Sequence, residues 1–228
     1  MTGQGFLAAP GGVRGLGFWW RQGWKSIGAC LVTAAIVTPA VLLMFLAGPG
    51  LDAGSAQYIF LCCFLIVGFM ILLIQENVSF QAHIPQLIRM GSTRRETLWG
   101  LTLFQLPMAV GLLAAFLALG MALGLPAGRG LAPGLGILLA GNGLGELLAV
   151  LQRKLGAVGL LCYVVLYGAA GMTLSFSLTM LVEGEVAAFG RRFGYLWGNG
   201  AALLAAGLIL YGLGRLSLRR CLSKLEVR

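Results

Sequence analysis

Charged residues are scarce in this sequence. They make up 10% of its 228 residues, while 59% of the residues are hydrophobic. An ordinary soluble protein has about 25% charged residues. Because so few charges cannot cover a surface that faces water, the composition indicates lipid as the surrounding solvent. The sequence therefore predicts an integral membrane protein with a single transmembrane domain over residues 1–228, and no room for a sizeable soluble domain.

Groups that carry enzyme chemistry are also few. The sequence has one histidine, His83, and no GxSxG or HExxH motif. Glu146 is the only acidic residue expected within a span, so no pair of carboxylates is predicted for acid–base catalysis. The phosphate-binding pattern GxxxxGK[ST] is missing as well. We therefore expect no catalytic, cofactor or metal site in this chain, and any ATP with its magnesium would be bound by another subunit.

Long apolar runs are what the sequence has instead. A helix needs roughly 20 apolar residues to cross a bilayer. The runs predict an all-α, polytopic fold with about six transmembrane helices, near residues 26–47, 56–75, 97–124, 131–151, 155–182 and 193–214. The fourth is glycine-rich and contains Glu146, so it is either a continuous span or a broken, re-entrant one.

The positions of the basic residues predict the orientation. With both termini in the cytoplasm, thirteen of the 16 basic residues fall on the inner side, as the positive-inside rule requires. This bias explains the net charge of +9 without any nucleic-acid partner. Around residues 13–27, Trp20 and Trp24 lie on one helical side and Arg21 and Lys25 on the other. The pattern fits either an amphipathic helix at the lipid interface or an aromatic belt before the first span.

The loop after the second span has the most specific local pattern. Pro85 suits the first turn of a short helix, and Gly91 suits the position just after its end. Thr93 and Glu96 then fit a capping box that starts the next helix. The pattern predicts a short cytoplasmic helix, a sharp turn and a rigid entry into the third span. An ordinary loop whose arginines obey the positive-inside rule is the alternative.

The stretch Leu87-Ile88-Arg89-Met90-Gly91-Ser92-Thr93-Arg94-Arg95-Glu96 resembles the first cytoplasmic loop of ABC-2-type transporter permeases. The stretch Leu151-Gln152-Arg153-Lys154-Leu155-Gly156-Ala157-Val158-Gly159 resembles the turn between spans four and five in small Gram-positive members of that family. The resemblance implies an exporter in a bacterial plasma membrane, with two identical or paralogous permease subunits and a separate ABC ATPase. It also implies that the loop after the second span is a coupling element that docks the ATPase. The candidate docking residues are His83, Gln86, Arg89, Gly91, Ser92, Arg94 and Arg95.

Glu146 and Asn142 lie one helical turn apart on the same face. Both are placed to line a translocation path, but Glu146 is equally placed to pair with Arg153 or Lys154 at the membrane edge. Two other function classes stay open. One is the substrate-binding component of an energy-coupling-factor vitamin transporter, and the other is a non-transport membrane assembly or immunity protein.

Overall fold

The computed structural model describes residues 17–22, 53–124, 127–182 and 199–223, with single positions between residues 24 and 39. For residues 53–60, 62, 63, 127, 129 and 170–182 it describes the backbone only. Over these residues the chain is helical, and short turns connect α2 to α3 and α4 to α5. The predicted first span, 26–47, and the start of the predicted sixth span, 193–198, lie largely outside the described residues.

Six helices are described after residue 52. Their bounds are α1 Ala53–Val78, α2 Ile84–Arg89, α3 Arg94–Ala122, α4 Leu131–Leu155, α5 Ala157–Val182 and α6 Gly200–Ser223. A five-residue π-helical turn, Ser79–His83, connects α1 to α2, and a 3-10 turn, Ala127–Gly130, precedes α4. Within the described residues, four helical stretches are long and apolar enough to cross a membrane: Phe64–Arg89, α3, α4 and α6. The described part of the chain is therefore all-helical, and its four long apolar helices indicate a multi-pass membrane protein.

The predicted spans that fall on described residues coincide with these helices except at their ends. Helix α3 starts three residues before the predicted span, and α4 is one continuous helix of 25 residues. Helix α6 continues past the predicted end of the sixth span, residue 214, to Ser223. Arg215 is consequently part of a helix that packs in the bundle and does not belong to a tail.

The second span continues further than the sequence suggested. Pro85 was expected to begin a separate helix, but α1, the π-helical turn and α2 form one unbroken helix. In that turn the backbone N–H of Ile84 donates to the carbonyl of Ser79. A proline clashes with the carbonyl four residues before it, and the wider π-helical turn makes room for the ring. Helix α2 is therefore a direct continuation of α1.

Helix α4 is central, since it packs against α1, α3, α5 and α6. Its closest neighbour is α6, along a seam of glycines at seven-residue spacing, which we call the glycine seam. It consists of Gly136 and Gly143 on α4 and Gly200, Gly207 and Gly214 on α6. A methyl group on Gly207 would lie 2.8 Å from the Cα of Gly136. Only glycine permits the two backbones to approach so closely.

Apolar side chains occupy both the interior and much of the outer surface. Phe116, Leu72 and Leu138 are fully buried, whereas Leu103, Val165 and Ile209 are more than half exposed. A surface of this kind suits a lipid environment and would be unfavourable in water.

Basic residues at the ends of α2, α4 and α6 and at the start of α3 lie at one end of the bundle. The guanidinium of Arg94 donates to the carbonyl of Ser223, at 2.7 Å. That of Arg153 lies 5.8 Å from the ring centre of Phe80. The ends of α2, α4 and α6 therefore meet at one side, which we call the basic end.

Candidate functional site

A group of polar side chains from four helices is buried between the apolar layers. Glu146 of α4 is 2% exposed and accepts a hydrogen bond from the amide nitrogen of Gln105 of α3, at 2.8 Å. The Nε of Arg215, on α6, lies 3.3 Å from the same carboxylate oxygen. Arg215 also donates to the hydroxyl of Tyr211, at 3.2 Å, and that hydroxyl lies 3.4 Å from the Gln105 carbonyl oxygen. These four side chains form one connected network.

A second carboxyl group adjoins this network. Glu76 of α1 is 2% exposed, and its carboxyl group interacts with the Gln105 amide and, electrostatically, with Glu146 and Arg215. A methyl group on Gly145 would lie 2.7 Å from the Cβ of Glu76, so the glycine leaves the space that the glutamate side chain occupies. Asn142, fully buried one turn before Glu146, completes what we call the polar cluster.

Several polar atoms of the cluster have no hydrogen-bond partner within the described part of the chain. They are Oε2 of Glu76, Oε2 of Glu146, both amide atoms of Asn142 and the two terminal nitrogens of Arg215. Buried polar groups are normally hydrogen-bonded, and exceptions call for an explanation such as a bound water, ion or ligand. The cluster therefore has donors and acceptors to offer to a small polar species. In the described residues, no group of three or more His, Cys, Asp or Glu is placed to hold a metal ion.

The cluster lies well inside the helix bundle, away from the basic end. Counted along the helices from the basic end, at a rise of 1.5 Å per residue, its members lie about 12–20 Å into the bundle. The hydrocarbon layer is about 30 Å thick. Ionisable groups at such depth are rare in membrane proteins and usually functional.

The two candidate pathway residues, Asn142 and Glu146, both belong to this cluster. The alternative, in which Glu146 pairs with Arg153 or Lys154 at the membrane edge, does not hold, since its ionic partner is Arg215. Sequence reasoning missed Glu76, Gln105, Tyr211 and Arg215. It had assigned Glu76 and Arg215 to segments outside the spans. One signal pointed to Arg215: a glutamate in the middle of a span, such as Glu146, needs a basic partner.

The turn between α2 and α3 has the predicted local geometry. Gly91 has a φ of +88°, its N–H donates to the carbonyl of Ile88, and the N–H of Ser92 donates to that of Leu87. These two bonds define a Schellman motif. The Thr93 hydroxyl accepts from the Glu96 N–H, and the Glu96 carboxylate accepts from the Thr93 N–H. The capping box is thereby confirmed.

The predicted docking residues differ in accessibility. Gln86, Arg89, Gly91, Arg94 and Arg95 are exposed. Ser92 is buried, and Arg94 is engaged with Ser223.

His83 has an internal role. It is only partly exposed, and the ring centres of Phe18 and Trp19 lie 5.7 and 6.1 Å from its imidazole. Trp19 is buried against Gly100, whereas Trp20 and Trp24 are exposed and contact each other. The N-terminal segment therefore packs on the junction of α2 and α3 through one face and presents the two tryptophans on another.

No family model, curated protein or solved structure matches this chain.

Proposed function

We propose that this chain is the membrane-spanning permease subunit of an ATP-driven exporter of the ABC-2 type, which forms the translocation pathway and couples to a separate ATPase. The observation that carries the proposal is the turn between α2 and α3. Helix α2 extends the Phe64–Arg89 span without a break, and the Schellman motif joins it to the capped start of α3. A push on this turn would act on two spans at once, because neither connection contains a flexible linker.

The chemistry of the turn suits a protein partner. Arg89, Arg94 and Arg95 are exposed there, and guanidinium groups form paired hydrogen bonds with carboxylates or carbonyls. His83 and Ser92, being partly or fully buried, would support the turn from within, and Gly91 would set its shape. In this proposal Ile84–Arg89 serves as the coupling helix, and Gln86, Arg89 and Arg95 contact the ATPase.

The wider arrangement follows from the same proposal. The chain has about six spans, with both termini and the basic end in the cytoplasm of a bacterium. A second permease subunit, identical or paralogous, completes the pathway in the plasma membrane. ATP and magnesium are bound in the partner ATPase.

The docking test removes two exposed arginines and leaves Arg94 in place, because Arg94 caps α6. The variant Arg89→Ala/Arg95→Ala is co-expressed with the ABC ATPase subunits of the same organism, and the ATPase that co-purifies with the wild-type chain is measured. Each charged hydrogen bond is worth about 1.5–3 kcal/mol, so affinity for the ATPase should fall roughly 100-fold or more.

The matched control is Arg219→Ala/Arg220→Ala, which removes the same charge from exposed positions of α6 at the basic end. It should retain the ATPase. If the test variant inserts with wild-type topology and still retains the ATPase equally well, the turn is not the docking site.

The polar cluster favours a second candidate. The substrate-binding component of an energy-coupling-factor vitamin transporter needs polar groups inside its spans, and the unpartnered atoms of the cluster meet that requirement. Mass spectrometry of the gently purified chain separates the two functions. A bound vitamin at about one molecule per chain would favour this second candidate over the exporter subunit.

A further inference from the structure

The charges of the polar cluster do not balance if all its groups ionise. Helix α1 contributes Glu76, α4 contributes Glu146, and α6 contributes Arg215 and the neutral Tyr211. Helix α3 contributes only the uncharged Gln105. On α5, Tyr163 interacts with Tyr167, and no contact between α5 and the cluster is described. Among the side chains that the structure describes, two carboxylates thus face one guanidinium, which leaves one negative charge in excess.

Burial between the helices makes that excess charge unfavourable. Glu76 and Glu146 are each 2% exposed, and the cluster is surrounded by helices whose outer faces are apolar. A buried charge without a partner is strongly disfavoured, and a carboxyl group in that position takes up a proton instead. Arg215 can balance only one of the two carboxylates, and its contact goes to Glu146.

We propose that Glu76 and Glu146 together hold one exchangeable proton, with Arg215 as the balancing charge, so that the polar cluster is a proton-binding site within the membrane layer. The unpartnered Oε2 atom of each carboxyl group offers a place for the proton. Release of this proton would leave an unbalanced negative charge between α1 and α4. The proton therefore links the packing of these two helices to pH, whether or not an ATPase binds the chain.

Infrared difference spectroscopy of the full chain in lipid nanodiscs tests the proposal. A protonated carboxyl group has a C=O stretch distinct from that of a carboxylate. The wild type should show this band at neutral pH and lose it at alkaline pH. Each single variant, Glu76→Gln or Glu146→Gln, should abolish the band. Arg215 then balances the one remaining carboxylate, and no proton is needed. Arg215→Gln should increase it about twofold, since both carboxyl groups then need a proton.

Two control variants test for misfolding and for a band that comes from carboxyl groups outside the polar cluster. Glu96→Gln should leave the band unchanged, because glutamine also serves in a capping box. Glu76→Asp keeps a carboxyl group and should retain a band at a shifted frequency. Three results would overturn the proposal: no such band in the wild type at neutral pH, a band that survives either Gln substitution in the cluster, or a band removed by adding Na⁺ or K⁺ at constant pH. The last result would indicate a metal-ion site instead.

Discussion

The close packing of the glycine seam between α4 and α6 predicts that a single added methyl group destabilises the protein. A Cβ on Gly207 would lie 2.8 Å from the Cα of Gly136, and its carbonyl oxygen would be closer still. Because favourable carbon–carbon contacts are about 3.5–4.0 Å, the variant Gly207→Ala must open the seam by about 1 Å. The obstacle is backbone, so no side chain can rotate away. A gap of that size forfeits a quarter to a half of each neighbouring contact.

We expect Gly207→Ala to lower the free energy of unfolding by about 1–3 kcal/mol, the usual cost of overpacking. The assay is equilibrium unfolding by sodium dodecyl sulfate in mixed micelles, followed by tryptophan fluorescence. Gly212→Ala is the matched control on the same helix, since a Cβ there meets nothing within 4 Å. It should be as stable as the wild type or slightly more stable, because alanine favours helix.

A double variant checks that the cost arises at the seam. Gly136 and Gly207 face each other, so once one methyl group has separated the helices, a second should cost less. Gly136→Ala/Gly207→Ala should therefore lose less stability than the sum of the single variants. Equal stability of Gly207→Ala, Gly212→Ala and the wild type would refute the close approach of the two helices.

Three further predictions concern the turn, the topology and the energy source. Gly91→Ala should cost about 1–2 kcal/mol of stability because of its positive φ, measured against Gly111→Ala, where a Cβ has open space and no such backbone conformation. Arg95 and Gly128 are both exposed. A cysteine in place of Arg95 should react with a membrane-impermeant thiol reagent only from inside the cell, and a cysteine in place of Gly128 only from outside. External labelling at position 95 would invalidate the topology. The purified chain should neither bind nor hydrolyse ATP, and ATP turnover by a preparation free of other proteins would contradict the proposed division of labour.

Local backbone motifs could be predicted from the sequence where a few neighbouring residues determine the structure. Thr93, Glu96 and Gly91 form the expected motifs because capping and positive φ depend only on nearby backbone groups. The pair Gly141 and Gly145 also packs closely, against Phe69 and Glu76 of α1. The glycine seam was not predicted, because its seven-residue spacing is hidden among 36 glycines.

The helix ends were harder to predict, and the polar cluster was missed with them. Charge-free runs define the apolar part of a span, so Glu76 was assigned to the loop after the second span and Arg215 to the C-terminal tail. Helices α1 and α6 continue past these residues, and both side chains join the polar cluster, where Arg215 pairs with Glu146 of α4. A span-finding rule that excludes charged residues therefore excludes the residues that form a buried ion pair.

The glycine seam and the polar cluster depend on the same helix contact. A Cβ on Gly214 would lie 2.9 Å from Oε2 of Glu146, and Arg215, the next residue, holds the other carboxylate oxygen at 3.3 Å. Glycine at position 214 thus brings α6 close enough for its arginine to reach a glutamate on α4. If α4 and α6 moved apart by the width of a methyl group, Arg215 would no longer balance Glu146, and the cluster would then need a second proton to stay neutral. Close packing of the seam therefore keeps Arg215 within reach of Glu146, and the single proton proposed for the cluster depends on that contact.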